Sequence, residues 1–473
     1  MILLMIPLML ALFMANLDQT IVVTALPSIA GDLRADTGGS SWIAVSYLLT
    51  SSVTALVLGK LGDMYGRKRI FQFSIVVFLV GSLLSGLAQS LTVLAFSRAL
   101  QGIGGGGITS LVMAITGDLA PPRQRVRHQA LLGAVAAVAL VAGPVLGGAF
   151  ADGLSWRWIF YVNVPIGIVA LLAVAARLRL PLPERSGRVD LLGALTAAAF
   201  TTSVVLIATW GGHAHPWGSP LILALAAFAL LCLACYLLVE RRATTPITPL
   251  HLFRSTNFTL ATAQFLLTGM VLFAGMLYVP MFLQTVQHRS ASSAGLYLIP
   301  LLLGLVVAAV ISGTLITRTG RYKLYPVVGT VLVGLSMTAV SQADQSTSPR
   351  SLMIPLATAG IGLGFLVQVC LIVGQNALDH ENLGVATGVL NFFRSLGSIF
   401  GAALFGAILT GALGSSRPGL TQSVAAYQAV FFWTVPLMIV GLGLALATSE
   451  EPLRNEAELA LAQRRGISSA QQH

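Results

Sequence analysis

Charge is what this chain of 473 residues has least of: Asp, Glu, Lys and Arg make up 9% of it, where a soluble domain carries about 25%. That shortage excludes a water-soluble globular protein, and 56% hydrophobic residues with a mean hydropathy of +0.86 put the chain in lipid. Cysteine is nearly missing as well. With three in total no disulfide framework is available, and Cys232-x-x-Cys235 lies beside Leu231 and Leu233 in an apolar run, a setting for packing rather than for a metal or redox pair. No cluster of His, Cys, Asp and Glu with ligand spacing occurs, so neither a metal centre nor an enzyme is expected. The run Gly104 to Gly107 lacks the Gly-Lys-Ser/Thr ending of a phosphate loop. The longest tail, Ser449 to His473, is too short for a receptor's sensing domain. Acids inside apolar stretches are rarest of all. Of the sixteen Asp and Glu only Asp18 lies deep in such a run, at a cost of about 2.5–3.5 kcal/mol near a bilayer centre, and so marks an ion or substrate pathway.

What is present is a succession of apolar stretches, each of about 20 residues and so able to cross about 30 Å as a helix. They lack the alternating polarity of a membrane barrel. Fourteen spans are expected, at 4–27, 42–62, 70–89, 92–116, 129–151, 158–176, 190–210, 219–239, 258–282, 294–316, 324–341, 352–376, 384–410 and 426–447. The first has no basic leader and contains Asp18, so it reads as a helix rather than a signal peptide. With both termini cytoplasmic, the inner loops and tail hold twenty Lys and Arg against five outside (Arg34, Arg157, Arg289, Arg350 and Arg417), a positive-inside bias. The net charge of +11 is then topology and contact with membrane lipid, and no nucleic-acid partner is expected. Lysine occurs only at Lys60, Lys68 and Lys323. Such a preference for arginine fits a GC-rich genome and a bacterial cell (inner) membrane.

An internal repeat divides the chain. Gly59-Lys60-Leu61-Gly62-Asp63-Met64-Tyr65-Gly66-Arg67-Lys68-Arg69 follows the second span, and 254 positions on Gly313 to Lys323 follows the tenth with Gly320 and Arg321 in register. The same offset carries Gly143 and Gly147 onto Gly397 and Gly401. The expected organisation is a six-helix bundle over 1–180, a linker with two extra helices over 181–245, a second six-helix bundle over 246–448, and a cytoplasmic tail, 449–473. Paired bundles of this kind place a central site between them.

Four stretches carry a resemblance. Leu17-Asp18-Gln19-Thr20-Ile21-Val22 with Ala25-Leu26-Pro27, the loop from Gly59 to Arg69, Arg98-Ala99-Leu100-Gln101-Gly102, and Gly143-Pro144-Val145-Leu146-Gly147-Gly148 resemble, in that order, motifs of the major facilitator superfamily. The likeness is to its fourteen-helix drug:proton antiporters of the QacA and EmrB kind, and departs where Val23-Thr24 replaces the usual Asn-Val. It implies an all-α membrane fold of two pseudo-symmetric bundles, a monomer without cofactor, and alternating access driven by the proton gradient. It also implies that Asp63, in the loop with Gly59, Gly66, Arg67 and Arg69, holds a cytoplasmic gate, and that Gly143, Pro144, Gly147 and Gly148 form the antiporter motif of helix 5.

The residues themselves add detail. Gly66 suits a left-handed turn, and Asp118 at the end of helix 4 is a candidate partner for Arg67. The small residues of Gly143 to Gly148 allow close packing, a part in the rocking motion, or both. Helix 1, ending near Pro27, puts Asp18 roughly 13 Å below its outer end, and Arg98 lies some 10 Å below the same face. Desolvation favours a neutral carboxyl and a nearby guanidinium favours the anion, so motion that changes their separation would load or release a proton. In the second half Leu356 stands for Arg98 and no acid occurs in helix 9, which confines this machinery to the first half. Arg394 either snorkels to the cytoplasm or faces the cavity. Tyr47, Gln101, Gln264, Phe265, Met270, Phe273, Asn391 and Phe392 are candidate cavity residues for a small hydrophobic or amphiphilic substrate. Export of a lipid or of one metabolite or antibiotic is the alternative.

Overall fold

The computed structural model of the protein describes residues 2–33, 37–119, 122–178, 191–211, 215–243, 250–376, 383–413 and 419–450. Seventeen α-helices run through them: α1 (Ile2–Asp32), α2 (Thr37–Tyr65), α3 (Arg67–Leu87), α4 (Leu91–Leu119), α5 (Pro122–Gly153), α6 (Trp158–Tyr161), α7 (Asn163–Arg177), α8 (Leu191–Trp210), α9 (Pro220–Arg242), α10 (Thr256–Thr285), α11 (Ala291–Tyr297), α12 (Ile299–Thr319), α13 (Leu324–Val340), α14 (Met353–Asn376), α15 (Leu383–Leu413), α16 (Leu420–Phe432) and α17 (Thr434–Ala447). No strand occurs among the described residues. Among the described residues twelve helical stretches are long and apolar enough to cross a membrane, and two shorter apolar ones, Leu195–Ile207 and Leu324–Val340, accompany them. The protein is an all-helical, multi-pass membrane protein.

Three expected spans are broken. The runs 158–176, 294–316 and 426–447 are interrupted at Val162, Leu298 and Trp433. Each break lies just ahead of a proline, Pro165, Pro300 or Pro436, whose ring displaces the carbonyl four residues earlier and whose nitrogen donates nothing. The opposite error occurs in α1, which continues through Pro27 to Asp32 rather than ending there, because a single missing bond is tolerated in a well-packed helix.

Helix pairing follows a pattern that occurs twice. Helices α2 and α3 lie along α4, α1 lies along α5, and α7 rests on α1 and α3; likewise α12 and α13 lie along α14, α10 along α15, and α17 on α10 and α13. The two sets meet where α2 touches α15, α1 touches α10, and α5 touches α11 and α12, while α8 and α9 pair with each other and α8 reaches α2 and α15.

Glycine makes these approaches possible. Gly102 and Gly106 rest on the α2 backbone at Tyr47 and Ser51, and Gly104 on α3 at Ser74 and Phe78; 258 positions on, Gly360 and Gly364 rest on α12 at Leu301 and Leu305, and Gly362 on α13 at Gly329 and Val333. The run that is no phosphate loop is thus a two-sided packing surface. Similarly, Gly143 and Gly147 seat α5 on Thr20 and Ile21 of α1, as Gly397 and Gly401 seat α15 on Leu266 and Met270 of α10. Gly148 alone faces the other set, against Ser292 of α11, and Gly295 answers from α11 against Pro144.

Two glycines with positive φ, Gly66 at 100° and Gly320 at 72°, stand 254 positions apart at the α2–α3 and α12–α13 junctions. A side chain at either is strained, so Gly66→Ala is expected to lower the unfolding free energy by about 1–3 kcal/mol and Gly320→Ala by about 1–2 kcal/mol, read from denaturant unfolding of purified protein.

Candidate functional site

Asp18 sits midway along α1 with no exposed surface, and Arg98, on the second turn of α4, is 1% exposed. Both are driven inward because α1 and α4 lie within the first set of helices, walled by α2, α3 and α7. Arg98 Nη1 lies 2.5 Å from Asp18 Oδ2, forming an ion pair closed to solvent. The second carboxylate oxygen accepts from Gln101 Nε2 at 2.8 Å and from Asn163 Nδ2 at 2.9 Å. Asp18 therefore takes three N–H bonds and gives none, the bonding set of a carboxylate.

The remaining groups hold the donors in place. Arg98 also donates to Gln101 Oε1 (2.7 Å) and through Nε to Ile43 O (3.2 Å), with its guanidinium 4.3 Å above the Tyr47 ring centroid. Ser82 Oγ accepts from Gln101 and Asn163 and donates to Phe160 O at the break between α6 and α7. One carboxylate thus ties together α1, α3, α4 and α7. Breaking such a buried pair from one side costs about 3–5 kcal/mol.

Its counterpart in the second set carries no charge. Asp18 lies two residues before Thr20, the seat of Gly143; two residues before Leu266, the seat of Gly397, is Gln264. Gln264 is 3% exposed, with neither amide atom hydrogen-bonded among the described residues, close to Gly441 and Thr330, and Leu356 in the place of Arg98 is fully buried.

The other predicted residues scatter around this centre. Tyr47 and Gln101 belong to the ion-pair network, and Gln264 faces the interior of the second set. Phe265, Met270, Phe273 and Phe392 are buried, whereas Asn391 is half-buried and donates to Thr387 O of its own helix. At the α2–α3 junction Gly62 packs on Leu111 and Gly59 near Ser110, while Arg67 Nη1 donates to Ala114 O (2.9 Å) and Lys68 Nζ to Ala175 O (2.9 Å). Two cations at the start of α3 thereby meet the carbonyl ends of α4 and α7, a favourable dipole arrangement. Arg69 is exposed. The side chains of Asp63 and Asp118, and tail residues 451–473, lie outside the described residues.

Asn163 and Ser82 are the residues that sequence reasoning missed. Asn163 had a usable signal: it is the one amide or charged side chain between Trp158 and Arg177, two residues before Pro165. Ser82 had none, being one serine among many. The depth estimate also used the wrong helix end. Because α1 runs to Asp32, Asp18 lies roughly 21 Å from its terminus, and the two charges meet because α1 overshoots the start of α4.

At the end of the molecule carrying the C-terminus of α5, Asp152 Oδ1 and Oδ2 accept from the backbone N–H of Ala291 (3.0 Å) and Ser292 (2.7 Å) at the start of α11. Gln284 Nε2 donates to Thr24 O (2.9 Å), six residues from Asp18. Nearby, the Asp344 carboxylate accepts from Thr347 and Ser346, which hold it below the usual range despite slight opposing desolvation. A lowered group stabilises the fold above its unfolded value near 3.8 and loses that effect as pH falls further. Hence the 344–347 loop is expected to keep its hydrogen-exchange protection unchanged from pH 5 to 8, leaving any pH response of transport in that window to other groups.

A charge pair is thus sealed inside a twice-repeated helical framework long and apolar enough to cross a membrane. The Major Facilitator Superfamily pattern matches residues 8–402. An uncharacterized MFS-type transporter of Mycobacterium tuberculosis is 40% identical over 93% of this chain and 68% of its own length. Two Bacillus subtilis proteins, multidrug transporter protein MdtP (33%, covering 89% of this chain and 77% of that one) and multidrug resistance protein 3 (32%, 90% and 85%), are similar too. Among solved structures, a bacterial homologue of the human lysosomal transporter Spinster superposes with a TM-score of 0.68 at 16% identity, covering 94% of this chain and 96% of that one. That likeness is one of fold. The chain belongs to the Major Facilitator Superfamily.

Proposed function

We propose that the protein is a proton-coupled antiporter that exports small hydrophobic or amphiphilic compounds, such as drugs, across the bacterial inner membrane. The observation that carries this reading is Asp18, fully buried and bonded to three donors on α4 and α7. In this reading the chain makes fourteen spans, with α6–α7, α11–α12 and α16–α17 each counted as one broken span, and both termini are cytoplasmic, the side that the positive-inside bias favours. The functional units are the bundles 1–180 and 246–448, with 181–245 as an added helix pair, acting as a monomer without cofactor.

Helix α1 links the two tasks. It carries Asp18, and near its far end it meets α10 and α11 of the second bundle through Thr24. Rocking of the bundles at the α5–α11 contact moves α1 against α4, separates Asp18 from Arg98, and lets the carboxyl take a proton from the outer side. Return of the pair expels that proton inward. The α2–α3 junction, with Asp63, Gly66, Arg67 and Asp118, controls the cytoplasmic end.

The test is purified protein in weakly buffered detergent, where adding a transported dye is expected to release protons, and in proteoliposomes, where an imposed pH gradient is expected to drive dye movement. Dye binding without proton release at any pH between 5 and 8 would sink the antiport reading.

A further inference from the structure

Arg394 on α15 is unlike the buried Arg98. Among the described residues, its guanidinium has no hydrogen bond and no ion pair; its Cζ lies 5.8 Å from the centroid of the Phe265 ring. The backbone at Arg394 is pressed against Gly269 of α10, and α15, the helix that carries it, is one of those by which the two bundles meet, touching α2 of the first bundle and α8. It is half-buried in a span, and the one acid deep in a span, Asp18, already belongs to Arg98. A partly desolvated cation with no counterion among the described residues is costly in a membrane interior.

From this we infer that Arg394 receives the anionic group of a substrate, a carboxylate, phosphate or sulfonate carried on an aromatic or aliphatic body. The inference rests on the exporter reading and narrows its substrate class toward organic anions. Guanidinium geometry suits a forked pair of bonds to such oxygens, and the Phe265 ring supplies apolar surface beside it. A permanently cationic compound would meet a like charge here. Exchange of a monoanion for a proton also moves two charges in the direction an inside-negative potential favours, each worth about 50-fold in gradient at 100 mV.

The experiment is fluorescence binding of 11-(dansylamino)undecanoic acid, of its methyl ester and of its trimethylammonium analogue to the full-length protein in neutral detergent. The acid is expected to bind at least 10-fold more tightly than the ester, and the cation more weakly than either. Arg394→Gln is expected to bring the acid to the affinity of the ester, while Arg394→Lys keeps most of the preference and so guards against a folding artefact. In nanodiscs, loss of the acid preference on adding phosphatidylglycerol would assign the same anion chemistry to a lipid headgroup, and its persistence would assign it to the free amphiphile. Equal binding of acid and ester by the wild type, or an acid preference that survives Arg394→Gln, would overturn the inference. Binding in detergent needs no proton gradient, so its failure is separable from failure of antiport.

Discussion

Asp18→Asn is expected to reduce substrate-driven proton release and dye efflux to the background of empty vesicles. An asparagine can still accept from Gln101 and Asn163, but it turns an amide toward Arg98 and leaves that guanidinium without a counterion in a site closed to water. The uncompensated charge should cost about 3–5 kcal/mol of stability. Adding Arg98→Gln to the same protein separates the two effects: the neutral pair should recover most of the unfolding midpoint, while transport stays at background because no group remains to carry the proton. Efflux by the single or double variant at wild-type rate would remove Asp18 from the mechanism.

The second large effect concerns Gly148. Its missing side chain lets α5 lie on the backbone of Ala291 and Ser292 across the bundle interface. Gly148→Leu should hold that end apart and stop the cycle, abolishing efflux while helix content is unchanged, since Gly143 and Gly147 still seat α5 on α1. Spin labels at Gly153 and Ser290 should report the longer-distance population. Gly133, also on α5, has open space around it, so Gly133→Leu should transport normally. A Gly148→Leu protein with normal efflux would show that this end need not close.

Much of this was legible in the sequence, for identifiable reasons. Asp18 stood out because a charge in an apolar run is rare, and the repeat was visible because backbone-to-backbone contact admits only glycine, which keeps Gly143 and Gly397, or Gly102 and Gly360, in register. Less legible were features set by three-dimensional neighbours. The place of Gln101 and Tyr47 in the ion-pair network was not visible, because side-chain chemistry does not say which helix a residue will face. The breaks at Val162, Leu298 and Trp433 were missed, although prolines flanked them, because Pro27, Pro144 and Pro280 are carried inside unbroken helices. Proline alone does not tell a break from a tolerated gap.

Asp152 has a kinetic consequence. Its carboxylate caps the first N–H groups of a helix in the opposite bundle, and water can replace those bonds when the two part. A capping interaction of this kind contributes about 1–2 kcal/mol, roughly a 5- to 30-fold bias at room temperature. Such a clasp is strong enough to favour one resting arrangement and weak enough to reopen many times a second. The turnover rate of the protein should therefore be limited by what happens around Asp18, and Asp152→Asn should alter the resting population more than the maximal rate.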